Sequence, residues 1–347
     1  MDKNAIVRLA LDINKGVKSF SIEDTSYSAR EAEEVLRQAL VDANGGSSEF
    51  NYKALRRNKV EIFEIIEELV PKIIYTGLTG NEFWNDNVDY VNVALGDKNE
   101  FYVEDDSEFV VSVIADGIAT PRRQRLTGGT KVTVDTSVHA IRIYEEFSRF
   151  MSGRIDWNEL CDKVAQSFQK AIWNDIFTAF TGAVGNSNYN ETTYDNTLTT
   201  YGDIDEDDVI AMINHIEAAT GKTARIIGTQ AALKALSAST TANFISAGAK
   251  EDIYNQGYFG KFYGTDCYKI KQVHEANGTT FALKDKEFYV VASDDKFIKF
   301  VDEGDTIIDD RDWTENADMT IEYRMFQRWG VAVVVAADAC AKYVFGA

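Results

Sequence analysis

The longest regular pattern in the chain has helical spacing. After Asp156-Trp157-Asn158-Glu159, a capping-box-like start, Leu160, Cys161, Val164, Phe168, Ile172, Ile176 and Phe180 recur at intervals dominated by three and four, and Ala165, Ala171 and Ala179 widen the stripe. Such a stripe is the core-facing side of an amphipathic helix. It predicts a helix over 156–181 stopping at Gly182, a rod about 40 Å long at ~1.5 Å per residue. A second stripe (Val209, Ile213, Ile216) predicts a helix over 205–219, closed by Gly221 as a C-cap. Residues 224–228 (ARIIG) read as a short buried strand, with Thr229 capping a further helix through Leu233 and Leu236. Upstream, residues 52–68 predict a helix with Pro71 just beyond its end. A weaker helical pattern covers 28–40, opened by Ser28 and Glu31 in capping-box spacing and broken by Asn44-Gly45-Gly46-Ser47-Ser48.

Between the helices the period changes to two. Val91, Val93 and Leu95 alternate with polar residues, as do Phe101 and Val103, and Val110 to Ile114 form a β-rich run. Thr127-Gly128-Gly129-Thr130 predicts a turn, after which Val132 and Val134 alternate again. The whole is a β-hairpin excursion of about 45 residues. A two-stranded ribbon is marginal alone in water, so it is expected to lie on another surface. Residues 183–202 read as a polar loop. Further strands are predicted at 281–283, at 288–292, and at 321–328 and 331–336 around a Trp329-Gly330 break. An α/β module at 203–290 is thus flanked by pieces of an α+β body.

Charge divides the chain. The 347 residues carry a formal net charge of −20, yet residues 1–59 hold ten Lys/Arg and nine Asp/Glu, which leaves −21 on the remainder. That balance argues against a dedicated nucleic-acid binder, which needs clustered cations. Glu100 to Glu108 holds five acids and no base, and the stretch from Arg122, Arg123 and Arg125 to Lys131 is basic with no acid. Opposite charges on neighbouring stretches suit either two legs of one hairpin or a contact between copies. Residues 1–20 carry Asp2, Arg8, Asp12 and Lys15, so no uninterrupted apolar signal segment is present, and a soluble cytoplasmic product is expected. Three scattered cysteines (Cys161, Cys267, Cys340) favour reduced thiols over a disulfide framework.

The catalytic inventory is empty. Gly221-Lys222-Thr223 lacks the earlier glycine of a phosphate loop and ends a helix instead of starting one. Asp203, Asp205 and Asp207 mimic the opening of a calcium loop, but its sixth and twelfth positions are Asp208 and Asn214, so helix-start acids are the better reading. The run Asp302, Glu303, Asp305, Asp309, Asp310 and Asp312 has no nucleophile or metal-ligand histidines grouped with it; a solvated loop or subunit contact is expected there. His139, His215 and His274 lie far apart in sequence. No catalytic, cofactor-binding or metal residues are assigned, and no cofactor is expected.

The order of the pieces carries a resemblance. Val93-Ala94-Leu95-Gly96-Asp97-Lys98 opens the β-excursion and Leu126-Thr127-Gly128-Gly129-Thr130 stands near its far turn. Arg154-Ile155-Asp156-Trp157 starts the long helix. The insertion contains residues 224–233 (ARIIGTQAAL) and then 255–268 (NQGYFGKFYGTDCY), with Gly257, Gly260 and Gly264 ahead of a returning strand. From about Tyr52 to Ala347 the chain resembles a tailed-bacteriophage major capsid protein of the Hong Kong 97-type fold.

That resemblance implies an α+β subunit with an N-arm over 1–50 and an extended β-hairpin loop over about 90–137. Residues 51–89, 138–202 and 291–347 would form a peripheral domain containing the spine helix (about 156–181), and 203–290 an inserted α/β axial domain. It implies self-assembly as hexamers and pentamers into an icosahedral shell enclosing double-stranded DNA. Partners would be portal protein, scaffolding or decoration proteins and, non-specifically, the packaged DNA, with no membrane. The location implied is the virion, after assembly in the host bacterial cytoplasm. Arg122, Arg123 and Arg125 are expected to contact acidic surface on an adjacent subunit. The same fold serves encapsulin shells, which is the alternative. An enzyme with a site in the α/β module is less favoured, because no titratable constellation accompanies it.

Overall fold

The computed structural model describes residues 68–103, 129–145, 157–185, 197–200, 202–239, 247–275, 278–292, 296–311, 321–335 and 339–346, with short pieces at 7–9, 11–12, 19–22, 25–28, 35, 38, 109, 111 and 123–125. The expected helix at 28–40 and the turn at 44–48 otherwise lie outside these residues, as do most of 52–67 and of 104–128. Near the start, strands β1 (Ser19–Ile22) and β2 (Thr25–Ser28) form an antiparallel hairpin. Ser28, expected to cap a helix, instead ends β2.

Helix α1 (68–79) contains Pro71 rather than ending before it. Its buried Leu69, Val70, Ile73, Ile74 and Leu78 continue one apolar face beyond the proline, and that burial carries the helix on. Asn81 caps α2 (Glu82–Asn87), its side chain accepting from the Phe83 amide, and the chain passes directly into β3 (Val88–Val93).

Two sheets organise the body. In the first, β14 (Ile321–Val333) is the central strand. Along one edge it pairs with β6 (Ser137–Glu145), and along the other with β12 (Ile298–Glu303) and β13 (Ile307–Arg311). Strand β12 also pairs in parallel with β3. The expected break at Trp329-Gly330 is absent: β14 runs through as one strand. The missing side chain of Gly330 admits the Asp135 carbonyl oxygen, 2.3 Å from where a Cβ would stand.

The second sheet has the order β7 (Thr197–Thr200), β15 (Cys340–Phe345), β11 (Glu287–Val291), β8 (Arg225–Gly228), β10 (Thr265–Lys269), β9 (Lys261–Phe262). It is covered on both faces. Ile226, Phe288 and Val290 pack with Val209, Met212 and Ile216 of α4 (Glu206–Thr220) and with Leu233 and Leu236 of α5 (Gln230–Ser239). Ile227, Tyr289 and Val291 point to the opposite core. Burial on both faces explains the unbroken apolar runs ARIIG and FYVVA, since alternation survives only where one face is wet. Residues 197–200, expected as loop, and 340–345 both join this sheet, so it draws on sequence outside 203–290.

Helix α3 (Trp157–Gly185) reaches both sheets and spans about 43 Å at ~1.5 Å per residue. Phe168 lies edge-on to Trp329 of the first sheet, ring centroids 5.9 Å apart. Phe180 meets Tyr289 of the second at 4.7 Å. Trp173 and Phe177, buried beside Phe83 and Trp84, widen the stripe beyond the residues read from its spacing. The helix also continues through Gly182, which is exposed, because Phe180 and Thr181 still have packing or hydrogen-bond partners there.

The caps expected at Gly221 and Thr229 match the structure. Asp205 caps α4 by accepting from the Asp207 amide, and Gly221 ends it in the left-handed region at φ 66°. The Thr229 hydroxyl accepts from the Ala232 amide at the start of α5. A further helix, α6 (Ala247–Gln256), precedes Gly257. Tyr263 and Gly264, with φ of 46° and 96°, form the two-residue turn between β9 and β10, the positive-φ geometry that suits the twist of paired strands. The strand expected at 281–283 reduces to one bridge between His274 and Phe281. Beside it, the Gln272 amide side chain donates to the Leu283 carbonyl at 2.7 Å and accepts from its amide, replacing a ladder.

Candidate assembly site

The β-excursion leaves the first sheet after β3 and returns to it before β6. Its described root is a short antiparallel pair, β4 (Phe101–Val103) with β5 (Thr130–Val132), in the register Phe101↔Val132, Tyr102↔Lys131, Val103↔Thr130. Lys131 of one leg pairs with Glu100 of the other at 2.5 Å. The opposite charges therefore serve the hairpin itself, at least at this level. Gly129, expected in the far turn, belongs to the leg. Its amide donates to the Tyr102 hydroxyl at 3.0 Å, and a Cβ there would stand 2.2 Å from the Val103 carbonyl oxygen.

One carboxylate holds both feet of the excursion. Glu303, at the end of β12, accepts from the Gly96 amide on the outgoing foot at 2.9 Å and from the Thr136 hydroxyl on the returning foot. The Arg328 guanidinium stands 3.9 Å away. These contacts, the Thr136 hydroxyl first, hold the Glu303 carboxyl below its ordinary pKa. Next to it the Gly304 amide donates to the Val93 carbonyl at 2.8 Å.

A second clamp works through amides. The Asn99 side chain donates to the Val134 carbonyl at 2.8 Å and accepts from the Val134 amide at 2.9 Å, stitching the feet like one extra ladder rung. Under it Phe101, Val134 and Val301 form a small buried cluster. Lys299 closes the side, 5.5 Å above the Phe101 ring and 2.9 Å from Asp89.

Asp302 faces the other way, into an open cleft of about 690 Å³ between α1 and the end of β12. Its carboxylate accepts from the Tyr90 hydroxyl at 3.3 Å and from the Gln327 amide at 3.3 and 3.4 Å. Burial raises the pKa of Asp302 and, with Asp302 beside it, that of Tyr90. Tyr75 packs against Tyr90 with centroids 5.4 Å apart. Gln327 is 6% exposed, and its Oε1 has no hydrogen-bond partner among the described residues.

Asp302 and Glu303, expected in a solvated loop or subunit contact, thus sit at the end of a core strand, while Asp305 is exposed beside the cleft. Asp309 and Asp310 lie in β13, and Asp312 is outside the described residues. Arg123 and Arg125 are exposed and belong to no strand; Arg122 is outside the described residues. Among the described residues no ion pair joins Arg123 or Arg125 to an acidic position of the same chain. The clamp was not legible in the sequence, because Glu303 stands 207 positions from Gly96 and 167 from Thr136.

Among the described residues no three His, Cys, Asp or Glu side chains group as a metal site, and no helix is long and apolar enough to cross a membrane. The three cysteines are buried, and burial pushes the Cys267 thiol up to about 12. The described geometry is that of a short two-stranded root held on the first sheet. A family profile described as "SPbeta prophage-derived putative capsid protein YonB" matches residues 5–339.

The chain belongs to this capsid-protein family.

A solved capsid structure is similar at the level of fold. A chain titled "Capsid of native GTA particle computed with C5 symmetry" is 12% identical, with a TM-score of 0.52 over 76% of this YonB-family chain and 90% of its own. The mature capsid of bacteriophage PhiM1 (12% identity, TM-score 0.49, 76% and 87% covered) and a virus-like particle from Pyrococcus furiosus (8%, 0.45, 79% and 97%) are also similar. No curated protein matches. The mixed α/β architecture is therefore similar to that of the solved GTA capsid chain.

Proposed function

We propose that this YonB-family chain is a major capsid protein of the Hong Kong 97 type, a structural, non-enzymatic subunit that assembles as hexamers and pentamers into an icosahedral head around double-stranded DNA. The observation that carries the reading is the rooted ribbon. Glu303 ties its two feet to the first sheet, and Asn99 stitches them to each other. A ribbon of this kind gains stability by lying on a neighbour. Family membership over residues 5–339 supports the same reading.

In this reading residues 1–50 are the N-arm, 90–137 the extended loop and α3 the spine helix. The peripheral domain takes 51–89, 138–202 and 291–347, and the axial domain 203–290. The strands at 197–200 and 340–345 complete the axial sheet from the peripheral stretches. Portal, scaffolding and decoration proteins are the expected partners, packaged DNA is held without sequence preference, and the finished subunit resides in the virion.

The test is direct. The chain is expressed alone and with its neighbouring phage proteins, and the products are examined by sedimentation and negative-stain microscopy. Closed shells or capsomers are expected. Monomers under every salt and concentration condition, together with phage particles that lack the chain, would overturn the reading.

A further inference from the structure

We infer that the cleft beside Asp302 is a guanidinium receptor for the Arg122-Arg123-Gln124-Arg125 segment of a second copy of this chain. The inference rests on the shell reading and names the contact by which one subunit's ribbon engages the next. Three observations converge on it.

The cleft is acceptor-rich. Its inner acceptor is the Asp302 carboxylate, whose hydrogen-bond donors are the neutral Tyr90 hydroxyl and Gln327 amide. Glu68 and Asp305 add two more carboxylates to the lining against one lysine, Lys72, which stands 3.7 Å from Glu68. A cation entering here meets a deficit of positive charge, and its donors meet a carboxylate whose side-chain partners are neutral.

The shape favours arginine over lysine. The tilted ring pair Tyr75–Tyr90 borders the acceptors, and Phe300 stacks on Tyr90 at 5.9 Å. A guanidinium is planar, weakly hydrated and carries donors in a fork, so it can bond both oxygens of a carboxylate while lying against aromatic faces. A lysine ammonium is a compact, strongly hydrated point charge and would forfeit most of that match.

The third observation concerns the source. Arg123 and Arg125 are exposed on their own subunit and do not line the cleft of the same chain. Their segment is basic without an acid, in a chain of net charge −20.

Arg122, Arg123 and Arg125 are each changed to Cys in separate variants that also carry Asp305→Cys. Assembled particles are treated with a short bismaleimide whose span matches an arginine side chain. The native cysteines are buried and leave the background low. Conversion of the monomer band into a ladder of covalent multimers is expected for at least one pair, and for none of the single variants. Particles without any cross-link overturn the inference while the shell reading stands. A cross-link within one chain also overturns it, because the cleft then takes its own ribbon. If these variants fail to assemble where the parent succeeds, an Arg→Lys triple variant decides: shells as heat-resistant as the parent refute the receptor, and weaker shells support it. Failure of the parent itself to form particles in any setting is failure of the shell reading.

Discussion

Trp329 donates its indole N–H to the Asp175 carboxylate at 2.9 Å, tying the central strand of the first sheet to the middle of the long helix. The indole is buried, and the His139 ring stacks on it with centroids 3.6 Å apart and planes within 7°. Asp175 is half-buried and also lies 3.4 Å from His139 Nε2. One aromatic residue thus joins helix, strand and neighbouring strand. Trp329→Phe keeps an aromatic ring but removes the donor and part of the volume, and it should cost about 1–3 kcal/mol of unfolding free energy. Asp175→Asn should cost less, since an amide oxygen can still accept. Denaturant midpoints at constant slope check both.

Two glycines should respond in opposite directions to alanine. At Gly330 a Cβ would meet the Asp135 carbonyl oxygen at 2.3 Å, a backbone atom that cannot swing aside. Gly330→Ala should destabilise the fold by about 1–3 kcal/mol through forced strand displacement. Gly182 lies inside α3 with nothing within 4 Å of a Cβ, so Gly182→Ala should stabilise by up to ~1 kcal/mol through helix propensity. Thermal melts of the two variants should move apart; a shared direction would show that the helix or strand assignment is wrong.

The same two positions show what the sequence could and could not reveal. Glycine in a helical or strand pattern is read as a break, and at Gly182 and Gly330 that local rule lost to packing along the rest of the element. Where the signal is local it worked: Gly221 and Thr229 cap as their positions suggested, and the acids from Asp205 onward open α4. The apolar stripe of α3 was legible, but Trp173 and Phe177 fell outside a narrow spacing although both are buried. Pairing between distant strands left no trace in either strand alone. Residues 340–345 could not announce that they join a sheet begun at 225, nor Glu303 that it holds Gly96 and Thr136.

Truncation in the middle of α3 tests the helix as a structural element. Phe168 is 4% exposed and Ile172 1%, both in the core shared with the first sheet. Phe168→Ala and Ile172→Ala should each cost about 2–5 kcal/mol, the larger where the site cannot collapse. Assembly yield should fall with stability in both. Unchanged melting and unchanged particle yield would remove α3 from the core.

Acid should loosen the ribbon at its feet. The Glu303 carboxyl sits below its ordinary pKa in the folded state, so its contribution is fully present above the unfolded value and is lost as pH falls through the folded one. Protonation removes an acceptor from the Gly96 amide and the Thr136 hydroxyl together. Hydrogen exchange at Gly96, corrected for intrinsic rates, should accelerate relative to core amides as pH drops below the ordinary carboxylate range. Glu303→Gln should show the faster exchange already at neutral pH. Protection that stays flat in acid would mean the clamp is not carried by charge.

Asp302 should behave in the opposite sense, and this separates the lone subunit from the shell. Burial raises its pKa, so the folded state is favoured by the protonated form and disfavoured as pH rises past the unfolded value. At neutral pH the ionised carboxylate is therefore a cost to an isolated subunit. Asp302→Asn removes that charge and keeps one oxygen to accept from the Tyr90 hydroxyl and the Gln327 amide. The variant subunit should be more stable than the parent at pH 7, with the gain vanishing in acid, where the parent's carboxyl is protonated in both states. In assembled particles the order should reverse, because an arginine from a neighbour can bond a carboxylate in a bidentate, charge-assisted way that an amide cannot match. Melting curves for subunits and particles of the same two proteins measure both halves. A variant that gains stability as a subunit and keeps the gain as a particle would show that no cation reaches Asp302 in the shell.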